Sequence, residues 1–287
     1  MNEENIRELM RWYLDAGVDE TISDAPVDRF TAAEQSAVFA SQAEPDAAKA
    51  SQAVPDAAKP SPGKSDKAGK PQDQKPRQDN TLPQGAEAAI HTAVSLASAA
   101  NSVEELRSAL ESFDGCPLRK TATNLVFVDG NPAAKILFVG EGPGADEDLQ
   151  GLPFVGPGGQ LLDRMLASIG LDRQSVLISN TVFWRPPGNR TPTTAEIAIC
   201  MPFVERLIDV VDPDILIALG GAAAKTLLAQ SQGIGRLRGK WFPYSSPRLP
   251  RPIDAMAMFH PAYLLRSPGQ KREAWRDMLM LKQKLTE

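Results

Sequence analysis

Residues 135–144 read KILFVGEGPG, an apolar run that ends in a glycine-rich turn. Such short apolar runs are typical of strands that a sheet buries on both faces. Three more runs of this type follow along the chain: SVLISN (175–180), DILIALG (214–220) and DAMAMFH (254–260). Segments with helical spacing separate them, and this alternation indicates an α/β chain whose parallel sheet is covered by helices on both faces.

Helices are predicted before and between these strands. Ser102 and Glu105 have the S-x-x-E spacing of a capping box, so a helix is expected to begin there. Helical spacing also covers residues 158–170 and 193–211, and Asp212-Pro213 is expected to end the second of these helices. A final helix is predicted after the fourth strand.

The chain is predicted to have three parts. Residues 1–40 hold an acidic segment with a short amphipathic helix, residues 41–84 read as a disordered linker rich in Pro, Ala and Lys, and residues 85–287 form the folded domain. Two readings of the helix over residues 3–18 stay open: it docks on the folded domain, or it is a tethered peptide that binds a protein partner. Its apolar stripe comprises Ile6, Leu9, Met10, Tyr13 and Leu14.

Composition and charge limit the class of protein. The sequence holds no apolar run of about 18 residues, so no transmembrane helix is expected. The polar N-terminus and the two cysteines favour a cytoplasmic protein without a disulfide framework. The net charge is −5, yet residues 219–287 carry 12 Lys and Arg against 4 Asp and Glu, a charge of +8. A polyanionic partner is therefore compatible with the sequence, because the local field decides such binding.

The residues that end the strands are the candidates for chemistry, because ligands of open α/β sheets bind beyond the carboxyl ends of the strands. The first strand ends in G-x-G-x-G, which is not the dinucleotide spacing, and no helical spacing follows it at once. The third ends in Gly220-Gly221, but Ala224 stands where a P-loop needs glycine. The second ends in Asn180 and the fourth in His260.

Phe154, Asn180 and His260 together suit the recognition of a nucleobase. Phe154 lies in a Gly/Pro-rich loop, where it could plug the core or stack on a planar ligand. The amide of Asn180 can donate and accept. His260, held by a following proline, is a candidate for a general acid or for electrostatic stabilisation. A flipped base is read by this combination of stacking and hydrogen bonds.

Three motifs carry a resemblance to a known family. They are GEGPGADEDLQGLPFVGPGGQLLDRML (140–166), SNTVFWRPPGNRTPT (179–193) and FHPAYLLR (259–266). In this order they resemble the family 4 uracil-DNA glycosylases, over about residues 113–285. The resemblance implies a three-layer αβα fold, here with a central four-stranded, mostly parallel sheet, and removal of uracil from DNA to start base excision repair.

The resemblance also implies roles for individual residues. Phe154 would stack on uracil, Asn180 would pair with its N3 and O4 edge, and His260 would stabilise the departing uracil anion. Further pocket and catalytic positions, with roles in bordering the site and placing water and sugar, are Glu141, Gly142, Glu147 and Asn189. The residues expected to contact DNA, some in a loop that enters the duplex, are Arg185, Arg190, Tyr263, Leu264, Leu265 and Arg266. No lysine stands at a motif position, so a monofunctional enzyme is expected.

One departure from the family concerns its [4Fe–4S] cluster, which C-x₂-C and a later C-x₁₅-C hold. Here Phe113 precedes Cys116 and Trp184 precedes Cys200 at these spacings. Two thiolates cannot hold a cluster that needs four, so we expect no cofactor and expect the aromatic side chains to fill its volume. An alternative function is therefore a non-catalytic or weakly catalytic DNA-binding module on the same fold. A nucleotide-binding enzyme is the weaker alternative. The expected protein is a monomer that acts on uracil-containing DNA near the nucleoid.

Overall fold

A computed structural model of the chain describes residues 85–286, which are built around a six-stranded sheet. The spatial order of the strands is β1-β3-β2-β4-β6-β5. The four central strands are parallel, and β1 and β5 lie antiparallel at the two edges. The strands are β1 (Asp129–Gly130), β2 (Ile136–Gly140), β3 (Leu177–Asn180), β4 (Ile215–Leu219), β5 (Trp241–Tyr244) and β6 (Ile253–Met258).

The helices that were predicted begin and end close to the expected positions. Ser102 Oγ accepts from the backbone N–H of Glu105 at 3.1 Å, which confirms the predicted helix start, and Asp212 ends α5 in the left-handed region with φ 43°. The helices are α1 (Ala86–Ala99), α2 (Val103–Ser112), α3 (Ala145–Gln150), α4 (Pro157–Ser168), α5 (Thr194–Val211), α6 (Gly221–Leu227), α7 (Ile234–Leu237), α8 (Pro261–Arg266) and α9 (Lys271–Lys284). Short 3₁₀ turns occupy Pro117–Lys120, Pro187–Asn189 and Pro268–Gln270.

The sheet lies between two apolar layers, because successive residues of a strand point to opposite faces. In β2, Leu137 and Val139 pack into a cluster with α1, α2, α5 and α6. Ile136 and Phe138 of the same strand pack into a second cluster with α4 and α9. All four side chains are buried. This arrangement confirms the α/β class with helices on both faces of a mostly parallel sheet.

Two predictions about the elements are wrong in detail. The sheet has six strands and not four, because the edge strands β1 and β5 were not recognised. β1 has two residues, and β5 is partly exposed and contains Pro243, a residue that edge strands tolerate. A short helix, α3, does follow the glycine-rich turn at once. Its six residues are too few to show helical periodicity in the sequence.

The predicted helix over residues 3–18 and the predicted linker over residues 41–84 lie outside the described residues. No helix between residues 85 and 286 has the length and hydropathy that crossing a membrane requires.

Candidate active site

A cavity of about 760 Å³ opens at the carboxyl ends of β2, β3, β4 and β6. The turn after β2, the loop between α3 and α4, and the segment before α5 form its walls. The end of β6 and the helix α8 close the opposite side. Most of the sequence-predicted site residues meet here: Glu141, Gly142, Glu147, Phe154, Asn180, Asn189, Arg190, His260, Tyr263, Leu265 and Arg266.

Asn180 is the last residue of β3 and contributes a buried amide to the wall of the cavity. Its side chain is 1% exposed, and Oδ1 has no hydrogen-bond donor among the described residues. A Cβ at Gly140 on the neighbouring strand would lie 2.5 Å from this oxygen, so glycine is needed beside it. A buried acceptor without a partner is rare, and here it is available to a ligand.

Phe154 lies in the loop between α3 and α4 and faces His260. The two rings are stacked, with centroids 5.4 Å apart and an interplanar angle of 27°. Phe154 is 5% exposed and has φ 56°, a conformation that a residue with a large side chain rarely adopts. Gly159 of α4 packs so closely that a Cβ there would overlap the carbonyl oxygen of Phe154. The ring is therefore fixed by its surroundings at the base of the cavity.

His260 caps the N-terminus of α8. Its Nδ1 accepts from the backbone N–H of Ala262 at 3.2 Å, which assigns the remaining proton of the neutral ring to Nε2. Burial, and secondarily the charge of Arg266, lowers the pKa of His260 to about 4. The imidazole is therefore neutral at pH 7 and presents an N–H donor on the side away from α8.

The two glutamates of the glycine-rich turn differ in their environment. Burial raises the pKa of Glu141, and a hydrogen bond with Thr191 opposes that shift. Both carboxylate oxygens of Glu147 already accept backbone N–H groups, from Gly144 at 3.0 Å and from Gly156 at 2.9 Å. Glu147 thus ties together the two loops that border the cavity.

The segment between β3 and α5 is held by its own polar side chains. Arg185 Nε donates to Asn189 Oδ1 at 2.6 Å. Arg190 forms a two-pronged ion pair with Glu196 in the first turn of α5, at 2.8 Å and 2.6 Å. Asn189 and Arg190 line the cavity, while Arg185 lies outside its lining and supports Asn189. Both arginines therefore have a role in shaping this wall besides any contact with DNA.

The motif that was predicted to be a loop entering the duplex is the helix α8. Tyr263 and Leu265 are 36% and 39% exposed and stand at the edge of the cavity with Arg266. Leu264 is 1% exposed and packs in a core cluster with Phe259 and α9. Its side chain belongs to the core in this structure, and its contact with DNA stays a prediction.

Some residues of the cavity were missed by the sequence analysis. Asp146 is exposed on α3 and faces the Gly156 loop, and its place inside the first motif was the available signal. Ile234 of α7 forms part of the opposite wall. Nothing in the sequence around Ile234 indicated this, because its position depends on how α7 packs against the strand ends.

The two cysteines lie side by side in the core. Cys116 and Cys200 are fully buried free thiols with their Sγ atoms 3.9 Å apart. At the other two spacings of the family's cluster motif stand Phe113, 1% exposed, and Trp184, 3% exposed. Phe113 packs on Phe203 with ring centroids 5.2 Å apart. Between residues 85 and 286 no group of three or more His, Cys, Asp or Glu is placed to hold a metal. This donor set does not fit a [4Fe–4S] cluster.

Comparisons with known proteins show the family of the chain. Residues 127–279 match the family model of the uracil DNA glycosylase superfamily. The type-4 uracil-DNA glycosylase of Archaeoglobus fulgidus is 40% identical over 176 residues, which cover 60% of this chain and 87% of that protein. Those of Pyrobaculum aerophilum and Thermotoga maritima are 36% and 41% identical, over 62% and 53% of this chain and 92% and 77% of the relatives. The chain therefore belongs to the uracil DNA glycosylase superfamily, within its type-4 group.

Proposed function

We propose that this protein is a monofunctional uracil-DNA glycosylase that takes uracil out of the DNA stack and hydrolyses its N-glycosidic bond. One observation carries the proposal: the unpaired Oδ1 of Asn180, the ring of Phe154 and the neutral His260 surround one cavity. Stacking and edge-on hydrogen bonding are how enzymes read a base that has left the duplex. The resulting abasic site is the substrate on which base excision repair continues.

Asn180 gives the site its preference for uracil. Its Oδ1 accepts the N3–H of the base, and its amide N–H donates to O4. Cytosine carries an acceptor at N3 and a donor at N4. Oδ1 would therefore face another acceptor, and the amide N–H would face another donor. A buried site that is left with unpaired polar groups rejects such a ligand strongly. Phe154 contributes stacking, which all bases share, and so adds affinity without adding selectivity.

His260 stabilises the leaving group. As the bond between C1′ and N1 breaks, its electron pair remains on uracil and the sugar gains oxocarbenium character. The Nε2–H of His260 donates to O2, where negative charge develops. A donor that is already in place and neutral needs no reorganisation during the reaction. The oxygen of water then bonds to C1′, and one proton of that water is released.

Glu141 and Asn189 contribute to the sugar side of the reaction. Glu141 is half-buried at the cavity wall, and Asn189 lies nearby on the segment before α5. We propose that these two residues place the attacking water and orient the sugar. Glu147 positions the loops at Gly144 and Gly156. No lysine is among the described residues that line the cavity, so a Schiff-base step that cleaves the strand is not part of the proposal.

The DNA is proposed to lie across the mouth of the cavity, at the carboxyl ends of the strands. Tyr263 and Leu265 project from α8 at this edge and would occupy the space that the base leaves. Arg266 stands beside them, and Arg185 and Arg190 flank the other side. Binding is expected to weaken with salt, because the arginines would contact phosphates.

The function is tested with an oligonucleotide that carries one uracil, incubated with the protein and then treated with alkali. We expect cleavage at the uracil position and no cleavage of the same strand with thymine or cytosine there. Folded protein that binds the DNA in a salt-dependent way but releases no base would contradict the proposal. That outcome would support the alternative of a non-catalytic DNA-binding module.

We further propose that the protein holds no iron–sulfur cluster, since Phe113 and Trp184 pack as core side chains where the family has thiolates. Protein purified without oxygen is expected to contain far less than one iron per chain and to lack visible absorption. The matched control is the variant Phe113→Cys/Trp184→Cys, which restores four cysteines and is expected to take up iron on reconstitution. About four iron atoms per chain in the unmodified protein would refute this proposal.

A further inference from the structure

We propose that Arg173 is a positioning residue for uracil excision, which fixes the backbone of the Phe154 loop and through it the stacking ring. The inference rests on the proposed function and assigns a task to a residue outside the three motifs. Arg173 lies in the turn between α4 and β3, and its guanidinium group reaches the loop between α3 and α4.

The guanidinium group contacts two consecutive carbonyl groups of that loop. Nη1 donates to the carbonyl oxygen of Pro153 at 3.2 Å, and Nη2 donates to the carbonyl oxygen of Phe154. A planar group with several fixed N–H donors sets the direction of both carbonyls at once. Because those carbonyls flank the Cα of Phe154, their direction determines where the ring points.

Two carboxylates hold the guanidinium group in place. Nε donates to Asp163 Oδ1 of α4 at 2.8 Å, and Nη1 also forms an ion pair with Asp129 of β1. The Arg173 side chain is only 23% exposed. The positive charge is thus neutralised locally and largely buried, so its role is within the protein and not at the phosphates of DNA.

Phe154 needs such support because of its own conformation. With φ 56° it is in the left-handed region, which is unfavourable for a residue with a Cβ and persists only where neighbours enforce it. Gly159 permits the close packing on one side, and Arg173 supplies the hydrogen bonds on the other. Without Arg173 the loop can relax toward ordinary backbone angles, which would turn the ring away from the cavity.

A displaced ring affects two parts of the site. Phe154 stacks on uracil in the proposed function, and it also packs against the ring of His260 at 5.4 Å. A misplacement of about 1 Å in an active site can cost about 10²-fold in rate. Arg173 is therefore expected to matter for catalysis although it touches neither uracil nor the reacting atoms.

The test is a double-mutant cycle with Arg173→Met and Phe154→Ala, measured as single-turnover uracil release over a range of enzyme concentrations. Methionine keeps much of the apolar stem and removes the donors. We expect Arg173→Met to lower the second-order rate about 10²-fold in the unmodified protein and by less than about twofold in the Phe154→Ala background. Arg173→Lys keeps the charge with a single donor group and is expected to recover part of the loss.

The matched control is Arg206→Met, because Arg206 also donates to a backbone carbonyl, that of Ala100 at 2.8 Å, away from the cavity. It should leave the rate within about twofold of the unmodified protein. The proposal is overturned if Arg173→Met costs the same factor with and without Phe154, or costs nothing. If Arg173→Met prevents folding, the same cycle is measured with Arg173→Lys, and a cost that is equal with and without Phe154 again overturns the proposal. An inactive unmodified protein would instead refute the proposed function, so the two failures are distinguishable.

Discussion

The variant Asn180→Asp is expected to lose about 10³-fold in kcat/KM for uracil excision. In the proposed complex the amide of Asn180 accepts from N3–H and donates to O4 of the base. A carboxylate only accepts, so O4 would face a second oxygen in a site where the side chain is 1% exposed. Burial strengthens this repulsion because little water is present to screen it. The measurement is single-turnover release of uracil from an oligonucleotide, with thermal unfolding as the check on folding.

Asn131→Asp is the matched control for this change. Asn131 follows β1, which pairs with the amino end of β3, and it lies outside the cavity lining. Its Oδ1 accepts from the backbone N–H of Ala133 at 2.9 Å, a bond that aspartate keeps, and its Nδ2 donates to the carbonyl oxygen of Gln174 at 3.1 Å, a bond that aspartate loses as it would at position 180. This variant should excise uracil within about twofold of the unmodified protein. If Asn180→Asp were equally active, the amide would not read the uracil edge and the assignment would fail.

The central sheet was predictable because its strands are buried on both faces, so each appears in the sequence as an unbroken apolar run. The runs at 135–140 and 214–220 became β2 and β4 with ends shifted by one residue. The edge strands gave no such signal. β1 is held by its ladder to β3 and not by any pattern of its own, and β5 exposes one face and contains Pro243. Their existence depends on neighbours that the local sequence does not reveal.

The candidate site was predictable where it depends on strand ends. Asn180 and His260 were found because parallel strands bring their carboxyl ends to one edge. The burial of Leu264 was not predictable, because a six-residue helix is too short to reveal its buried side, which Pro261 and Leu264 share. The cap formed by Glu147 was missed because Gly144, at the cap position, has no side chain to indicate it. Arg173 was missed because its contacts with Phe154 come from a different part of the chain.

The variant His260→Ala is expected to lower the rate of the chemical step about 10³-fold with a smaller effect on DNA binding. The Nε2–H of the neutral ring is the donor that meets the charge developing on O2, and alanine leaves that charge without a partner. Loss of one preorganised donor to a developing anion costs about 10²- to 10³-fold in rate. His260 also contacts Phe154, so loss of ring packing adds to the effect. The measurement is single-turnover excision at saturating enzyme, with DNA affinity measured separately.

The pH profile distinguishes a neutral donor from a proton-transferring imidazolium. Burial first, and Arg266 second, lowers the pKa of His260 to about 4. The neutral form is thus fully present from about pH 6 to pH 8 and gives way to the imidazolium only as the pH falls toward 4, so His260 contributes no decline in rate over that range. If His260 acted as an imidazolium acid with an ordinary pKa, the rate would fall about tenfold for each pH unit above that pKa. His91→Ala, which removes an exposed histidine of α1, is the control and should keep full activity. A rate that declines tenfold per unit above about pH 6.5, and only while His260 is present, would refute the neutral-donor role.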